Sequence, residues 1–395
     1  KWLTELLAEE EVDALVVAGD IFDSMQPSAE ALSAYYRFLA GLPGTGVRDV
    51  VVVGGNHDSP SRLEAPKDVL AALNVRVVGT IGRAEDRLDH LVVPLRRRGR
   101  EDPSVVCLAV PFVHEYRLGV RTTDSDAGRV RQAFAKRFED LYGGLVDLAE
   151  GMFPGRPVIA TGHLTVGAVK GDDYRDPIHQ VGFIGALPPS VLDRRIAYGA
   201  LGHIHRAFPV ADGRVWYSGS PYQISVSDDA RHRKVIRVDV PEDGGAVRVT
   251  PLPVPVFREL CFVEGTPEEV IQTLRSLRSQ GQFPPLVHVR VWLKGPFPGL
   301  RDRLIQAAAG ALGDRRPFLV DIRECFVGAR EESSDASLQP LQELTEGDVF
   351  ARLCQIRGEV STEELERAFQ EIASLSDEDL EKLLHGVENA PMEVP

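Results

Sequence analysis

An α/β fold with a largely parallel sheet is predicted by three features of the sequence. Short, almost continuous apolar runs at residues 12–18, 49–54 and 75–78 alternate with stretches of helical periodicity, the pattern of strands buried on both faces between crossover helices. Polar clusters follow such runs directly, at the strand ends where open α/β sheets bind ligands. The length, 395 residues, exceeds one ordinary core and predicts two or three domains.

Taken in order, residues 2–11 set Leu3, Leu6 and Leu7 on one helical face ahead of the strand at 12–18. Ala29–Gly41 is a second helix, its buried face carrying Leu32, Tyr35, Tyr36 and Leu39, and it feeds the strand at 49–54. Residues 66–73 are helical and 75–78 extended. Beyond Leu88 strands dominate, at 91–95, 105–110, 158–162, 196–199, 215–218 and 234–240, with one helix near 128–149. The prolines 251, 253 and 255 predict an extended linker, so the first domain is placed at residues 1–252.

A small β-α-β-α-β domain follows over residues 253–329. Its strands are expected at 258–263, 286–293 and 317–325. Thr266-Pro267-Glu268-Glu269 opens its first helix with a capping box and a proline at the first helical position, and residues 299–312 form the second. Residues 330–395 read as a polar linker and a tail of short amphipathic helices, with apolar stripes that include Val349, Phe350 and Leu353, then Leu365, Phe369 and Ile372. Such a stripe fits a partner surface or the small domain itself.

Composition narrows the function. A net charge of −14 argues against a general electrostatic nucleic-acid binder, while leaving room for a local basic groove. The longest basic run, Arg96-Arg97-Arg98-Gly99-Arg100, reads as a solvated hairpin loop. No apolar run approaches the roughly 20 residues that span a bilayer. Cys107, Cys261, Cys325 and Cys354 form no CxxC pair, which disfavours a disulfide framework or a zinc ribbon and suits a reducing cytoplasm. The chain opens on lysine with no signal pattern after it, so it is expected to start inside a longer one.

The clusters at the strand ends are Gly19-Asp20-Ile21-Phe22-Asp23, Gly55-Asn56-His57-Asp58, Gly162-His163-Leu164-Thr165 and Gly202-His203-Ile204-His205. Singly, each has an ordinary explanation as a turn, a cap or a hydrogen-bonded core histidine. Together they are expected to converge on one site. Asp, Asn and His are oxygen and imidazole donors suited to manganese, iron or zinc, and no thiolate joins them. Histidines 90, 114, 179, 232, 288 and 385 lack this setting and read as surface or structural residues.

The order GDIFD, GNHD, GHLT, GHIH resembles the motif order of the calcineurin-like metallophosphoesterases. The wording of VDALVVAGDIFD, PVIATGHLTVGA, ALGHIHRA and YSGSP (Tyr217 to Pro221) is similar to the SbcD-type DNA nucleases within that superfamily. The resemblance implies a four-layer metallophosphoesterase sandwich with a small α/β capping domain and a C-terminal helical tail that docks on an SbcC-like coiled-coil ATPase. It implies two divalent metal ions, manganese, with Asp20 bridging them, Asn56, His163 and His203 completing one site, and His205 in the other. His57 would stabilise the transition state or protonate the leaving oxygen, and Asp58 would orient its ring; Asp23 would stand nearby. An Asp-x-His motif that the family carries on an earlier strand is not in this sequence, and an upstream strand is expected to supply it.

On that reading the substrate is DNA, trimmed 3′ to 5′ from duplex ends and cut endonucleolytically in single strands and hairpins. Two nuclease subunits are expected per complex, touching through Ala29–Gly41 and Pro66–Leu73. A phosphatase or cyclic-nucleotide phosphodiesterase on the same fold is the rival among enzymes, and a noncatalytic scaffold the rival outside them.

Overall fold

The computed structural model describes residues 1–82, 87–118, 127–167, 186–226, 232–310 and 316–326, together with Phe350 and Phe369. The helix α1 (Trp2–Glu9) leads into β1 (Ala14–Ala18), α2 (Ala29–Gly41), β2 (Asp49–Val53), the short helices α3 (Pro60–Glu64) and α4 (Lys67–Ala71), and β3 (Val75–Val78). These strands pair in parallel in the order β1-β2-β3. Next come β4 (Val92–Arg96), β5 (Pro103–Ala109), α5 (Ala127–Met152), β6 (Val158–His163), β7 (Ile196–Gly202), β8 (Phe208–Val210) and β9 (Val215–Tyr217). They form a six-stranded sheet ordered β4-β5-β6-β7-β9-β8, whose inner four strands are parallel and whose edges are antiparallel.

Side-chain alternation shows how the two sheets stack. Val51 and Val53 of β2 join the core of the six-stranded sheet, whereas Val50 and Val52 face Leu7, Leu39, Leu42, Leu63 and Leu70 from the N-terminal helices. Val16 of β1 packs toward the first of these cores and Leu15 and Val17 toward the second. On the larger sheet, α5 contributes Phe134, Phe138, Tyr142 and Leu145 to the core and lies against β4 and β5. The result is helix, sheet, sheet, helix: the four-layer α/β sandwich that the sequence predicts.

Three local features depart from expectation. The proline-spaced segment is a strand, β11 (Arg248–Pro253), antiparallel to β10 (Lys234–Asp239). Pro251 and Pro253 share one parity, which puts both ring nitrogens on the same side of a strand that pairs only with β10 among the described residues; an edge needs no donor there. The basic run does make the β4–β5 hairpin, but its arginines are engaged. Arg96 meets Asp49 at 2.6 Å, Arg97 and Arg100 meet Glu242 at 3.1 and 3.3 Å, and Arg98 donates to the carbonyls of Thr45, Val12 and Leu7. Finally, α3 and β8 carry no clear periodicity of their own in the sequence.

The third sheet is all parallel, β12 (Leu260–Gly265), β13 (Leu286–Leu293) and β14 (Phe318–Phe326), with α6 (Pro267–Ser276) and α7 (Leu300–Ala309) between them. Val270 and Leu274 of α6 and Leu300 and Leu304 of α7 meet Val263, Val287, Val289, Val291 and Leu293 in a core of their own. The capping box at α6 is complete: the Thr266 N–H donates to Glu269 at 2.8 Å and the Glu269 N–H to the Thr266 hydroxyl at 3.4 Å. The expected helical tail, residues 330–395, lies outside the described residues apart from Phe350 and Phe369, whose rings stack 4.3 Å apart.

Candidate metal centre

The parallel strands β1 and β2, and across the sandwich β6 and β7, end at one place, and that junction is tight. A side chain at Gly55 would overlap the Asp20 carboxylate and amide, and one at Gly202 would overlap the Ala18 carbonyl of β1. The glycines that precede the polar clusters therefore admit the backbones to each other rather than only turning the chain. Asp20 and His203 sit at φ 50° and 90°, a left-handed region that costs a non-glycine residue on the order of 1–3 kcal/mol and persists where surrounding contacts over-determine it.

Four predicted donors meet. The His163 Nε2 lies 3.1 Å from Asp20 Oδ2 and 3.0 Å from Asn56 Oδ1, and His203 Nδ1 lies 3.1 Å from the same Asn56 oxygen. Asp20, His163 and His203 form the one carboxylate-and-imidazole cluster of ligand spacing found among the described residues. His163 is buried and its Nδ1 donates to the Ala18 carbonyl at 2.8 Å. That leaves Nε2 facing two oxygen acceptors, Asp20 Oδ2 and Asn56 Oδ1. Acceptors crowded in this way need a cation between them. Separations near 3 Å are also the edge of an octahedron whose metal–ligand bonds are about 2.1 Å, so the donor set fits a divalent ion.

The neighbouring predicted residues are placed differently. His57 donates its backbone N–H to Asp20 Oδ1 at 3.0 Å, while its half-buried ring meets the Asp23 carbonyl through Nδ1 at 2.9 Å. Asp58 is buried and does not orient that ring. Its two oxygens accept the N–H groups of Gly55 at 2.8 Å, Ile21 at 3.0 Å and Phe22 at 3.1 Å, because three otherwise unpaired amides of the two loops converge there. The Asp23 contribution is its main-chain carbonyl. His205 is not part of the Asp20 cluster; its own carbonyl accepts from Arg233 Nη1 at 2.6 Å and from the Ser220 N–H at 3.0 Å.

Electrostatics set the two carboxylates apart. Burial pushes Asp20 upward, but the His163 hydrogen bond and charge, with the His57 N–H, outweigh it and bring the carboxyl down to about 2. Burial dominates at Asp58 and raises its carboxyl against the three N–H donors, with the Asp20 charge adding to the rise. Asp20 is thus held as an anion at neutral pH.

Residues 1–206 match the calcineurin-like phosphoesterase family, and residues 256–357 match the family described as the type 5 capsule protein repressor C-terminal domain, SbcD_C. The chain belongs to the SbcD-type calcineurin-like phosphoesterases. It is 37% identical over 292 residues to the SbcD subunit of the nuclease SbcCD from Rhodobacter capsulatus, covering 71% of each chain. The Escherichia coli K12 protein of that name is 34% identical over 74% of this chain and 70% of its own. The Bacillus subtilis one is 28% identical over 95% of this chain and 92% of its own. Family and donor set agree: this SbcD-type chain is a metal-dependent phosphoester hydrolase of the nuclease class.

Residues that sequence reasoning missed support the donors from behind. Phe112 packs its ring edge-on to His163 at 6.2 Å and to His114 at 4.8 Å, which brings His114 nearer the site than its sequence setting suggested. The buried Tyr217 hydroxyl donates to the Leu164 carbonyl and accepts the Val166 N–H, fixing the loop after His163. Tyr217 opens YSGSP, so a signal existed. Arg233 had none.

Proposed function

We propose that this chain is the nuclease subunit of an ATP-dependent DNA-processing complex, hydrolysing phosphodiesters with two divalent ions, manganese in the cell. It acts as a 3′–5′ exonuclease on duplex ends and as an endonuclease on single strands and hairpins, in DNA repair and recombination. The observation that carries this reading is the four-donor cluster of Asp20, Asn56, His163 and His203 in a chain whose relatives are named as the SbcD subunit of the nuclease SbcCD. Residues 1–252 are the nuclease domain, 253–329 the cap, and 330–395 the linker and docking region for an SbcC-like coiled-coil ATPase. Two such nuclease subunits meet through α2 and residues 66–73 in a cytoplasmic heterotetramer. The net charge of −14 suits a division of labour in which the ATPase supplies much of the basic DNA surface.

In the reaction, Asp20, Asn56, His163 and His203 would hold one ion, and Asp20 with His205 the other. The bound ions supply charge neutralisation of the scissile phosphate and activation of the attacking water. The chain's own groups do the rest. The His163 Nδ1–H bond to Ala18 keeps its Nε2 available as a donor atom. With Nδ1 bonded to the Asp23 carbonyl, His57 has Nε2 left to give a proton to the leaving oxygen. Asp58 keeps the loops of Asp20 and Asn56 together.

The test is manganese-dependent hydrolysis by the full-length protein of linear duplex DNA beside a generic aryl phosphodiester. Cleavage of DNA is expected. Turnover of the small ester alone, with or without the ATPase, would establish a phosphatase or cyclic-nucleotide phosphodiesterase instead, and an inert protein would favour the scaffold.

A further inference from the structure

The parallel sheet of β12, β13 and β14 is covered by helices on one face only among the described residues, although parallel sheets are ordinarily covered on both. The open face is neither apolar nor evenly polar. Phe262 and Trp292 are 42% and 36% exposed on it, and the Arg290 guanidinium stacks over the Phe262 ring at 5.1 Å. A groove of about 280 Å³ runs between this face and the segment of Ile224 and Val226, lined on the sheet side by Phe262, His288, Arg290, Asp321 and Arg323. Its two guanidinium groups also meet carboxylates, Arg323 with Asp321 at 2.7 Å and Arg290 with Glu264 at 3.6 Å. Exposed rings beside guanidinium groups give unpaired bases a face on which to stack, and with the two carboxylates alongside, stacking rather than phosphate charge is what this surface offers a strand.

The segment that forms the other wall is tied to both the metal centre and the sheet. The Ser220 N–H donates to the His205 carbonyl, and three residues later the Gln223 side-chain amide pairs with the backbone of Leu260. That pair is reciprocal. Gln223 Nε2 donates to the Leu260 carbonyl at 2.8 Å, and Gln223 Oε1 accepts the Leu260 N–H at 2.8 Å. A primary amide thereby does for the outer edge of β12 what a neighbouring strand would do. The His205 carbonyl is also held by Arg233, so losing the Gln223 amide removes a tie between the sheet and this segment while the metal loop keeps a bond of its own.

We propose that Gln223 is a positioning residue of the nuclease reaction: its amide keeps the sheet in register with the metal loop, so that a DNA strand at the metal centre also lies in the groove. This rests on the DNA-nuclease reading above. A small phosphodiester never reaches the groove and is indifferent to the sheet's placement, whereas a polymer binds across both.

The test compares the full-length wild-type protein with Gln223→Ala and Gln223→Glu, in manganese, on a duplex with a single-stranded overhang and on a small aryl phosphodiester. Gln223→Glu keeps the volume and the bond from the Leu260 N–H but sets an oxygen against the Leu260 carbonyl, so it carries the test if the alanine variant does not fold. Both variants are expected to lose about tenfold in kcat/KM on DNA, mainly through KM, with the small ester changed less than about twofold. Equal losses on both substrates, or none on either, would overturn the role of Gln223 and leave the nuclease reading standing. Wild-type protein that turns over the small ester and spares DNA would overturn both.

Discussion

The Asp58 carboxylate at the tip of β2 accepts the Ile21 backbone N–H at the tip of β1, 3.0 Å away. With its bonds to Phe22 and Gly55, this makes Asp58 the clasp that fixes Asp20 beside Asn56. Asp58→Asn is isosteric but puts an amide N–H₂ where an oxygen accepts, leaving at least one buried donor facing another. The expected cost is about 1–3 kcal/mol in urea unfolding, accompanied by weaker manganese binding in calorimetry. Unchanged stability with a shifted pH–rate profile would instead return Asp58 to the role of orienting His57.

His57 separates binding from chemistry. Its contact with Asp20 is through the backbone N–H, which a substitution leaves in place, and its ring is outside the donor cluster. His57→Gln is therefore expected to bind manganese as the wild type does while kcat on DNA falls by about 10²–10⁴-fold, the usual contribution of a positioned acid. Metal affinity that fell in step with kcat would place the ring among the ligands.

The low Asp20 carboxyl makes a statement about acid stability. Against the upward push of burial, His163 and the His57 N–H depress its folded value from 3.8 to about 2. A depressed carboxyl contributes stability that is fully present above the unfolded value and lost as pH falls through the folded one. The metal-free protein should thus lose on the order of 2 kcal/mol from this group between about pH 4 and pH 2. Chemical unfolding of wild type and Asp20→Asn across that range measures it: the difference between the two curves should narrow as pH falls, and a constant gap would refute the assignment.

Much of this was legible in the sequence, and the rest was not for a physical reason. Strand ends in a parallel sheet sort side chains by position, so Asp20, Asn56, His163 and His203, each set by a glycine or a strand terminus, could be placed together from periodicity and resemblance. Side-chain partners that are main-chain atoms leave no such trace. Nothing in the adjacency of His57 and Asp58 reveals that one bonds to the Asp23 carbonyl and the other to three amides. The same holds for Arg233 on the His205 carbonyl and for Gln223 on Leu260. The prolines of β11 misled because an edge strand tolerates what a central strand does not.

Arg98 offers the sharpest contrast between a charge run read as surface and one built into the fold. Its Nη2 donates to Thr45 at 2.8 Å, Val12 at 3.3 Å and Leu7 at 3.5 Å, closing the carbonyls that end α1 and the turn before β2. Arg98→Ala removes these donors together and is expected to destabilise the protein by about 1–3 kcal/mol. Arg98→Lys should recover little, because a single ammonium does not reproduce the planar fork. Arg97 and Arg100 pair with Glu242, so no cation of this hairpin is committed to phosphate. Were the loop a DNA contact, removing it would flatten the salt dependence of DNA binding by about 0.9 in log–log slope per lost phosphate. The expected outcome for Arg97→Ala with Arg100→Ala is an unchanged slope, read from binding titrations at several salt concentrations.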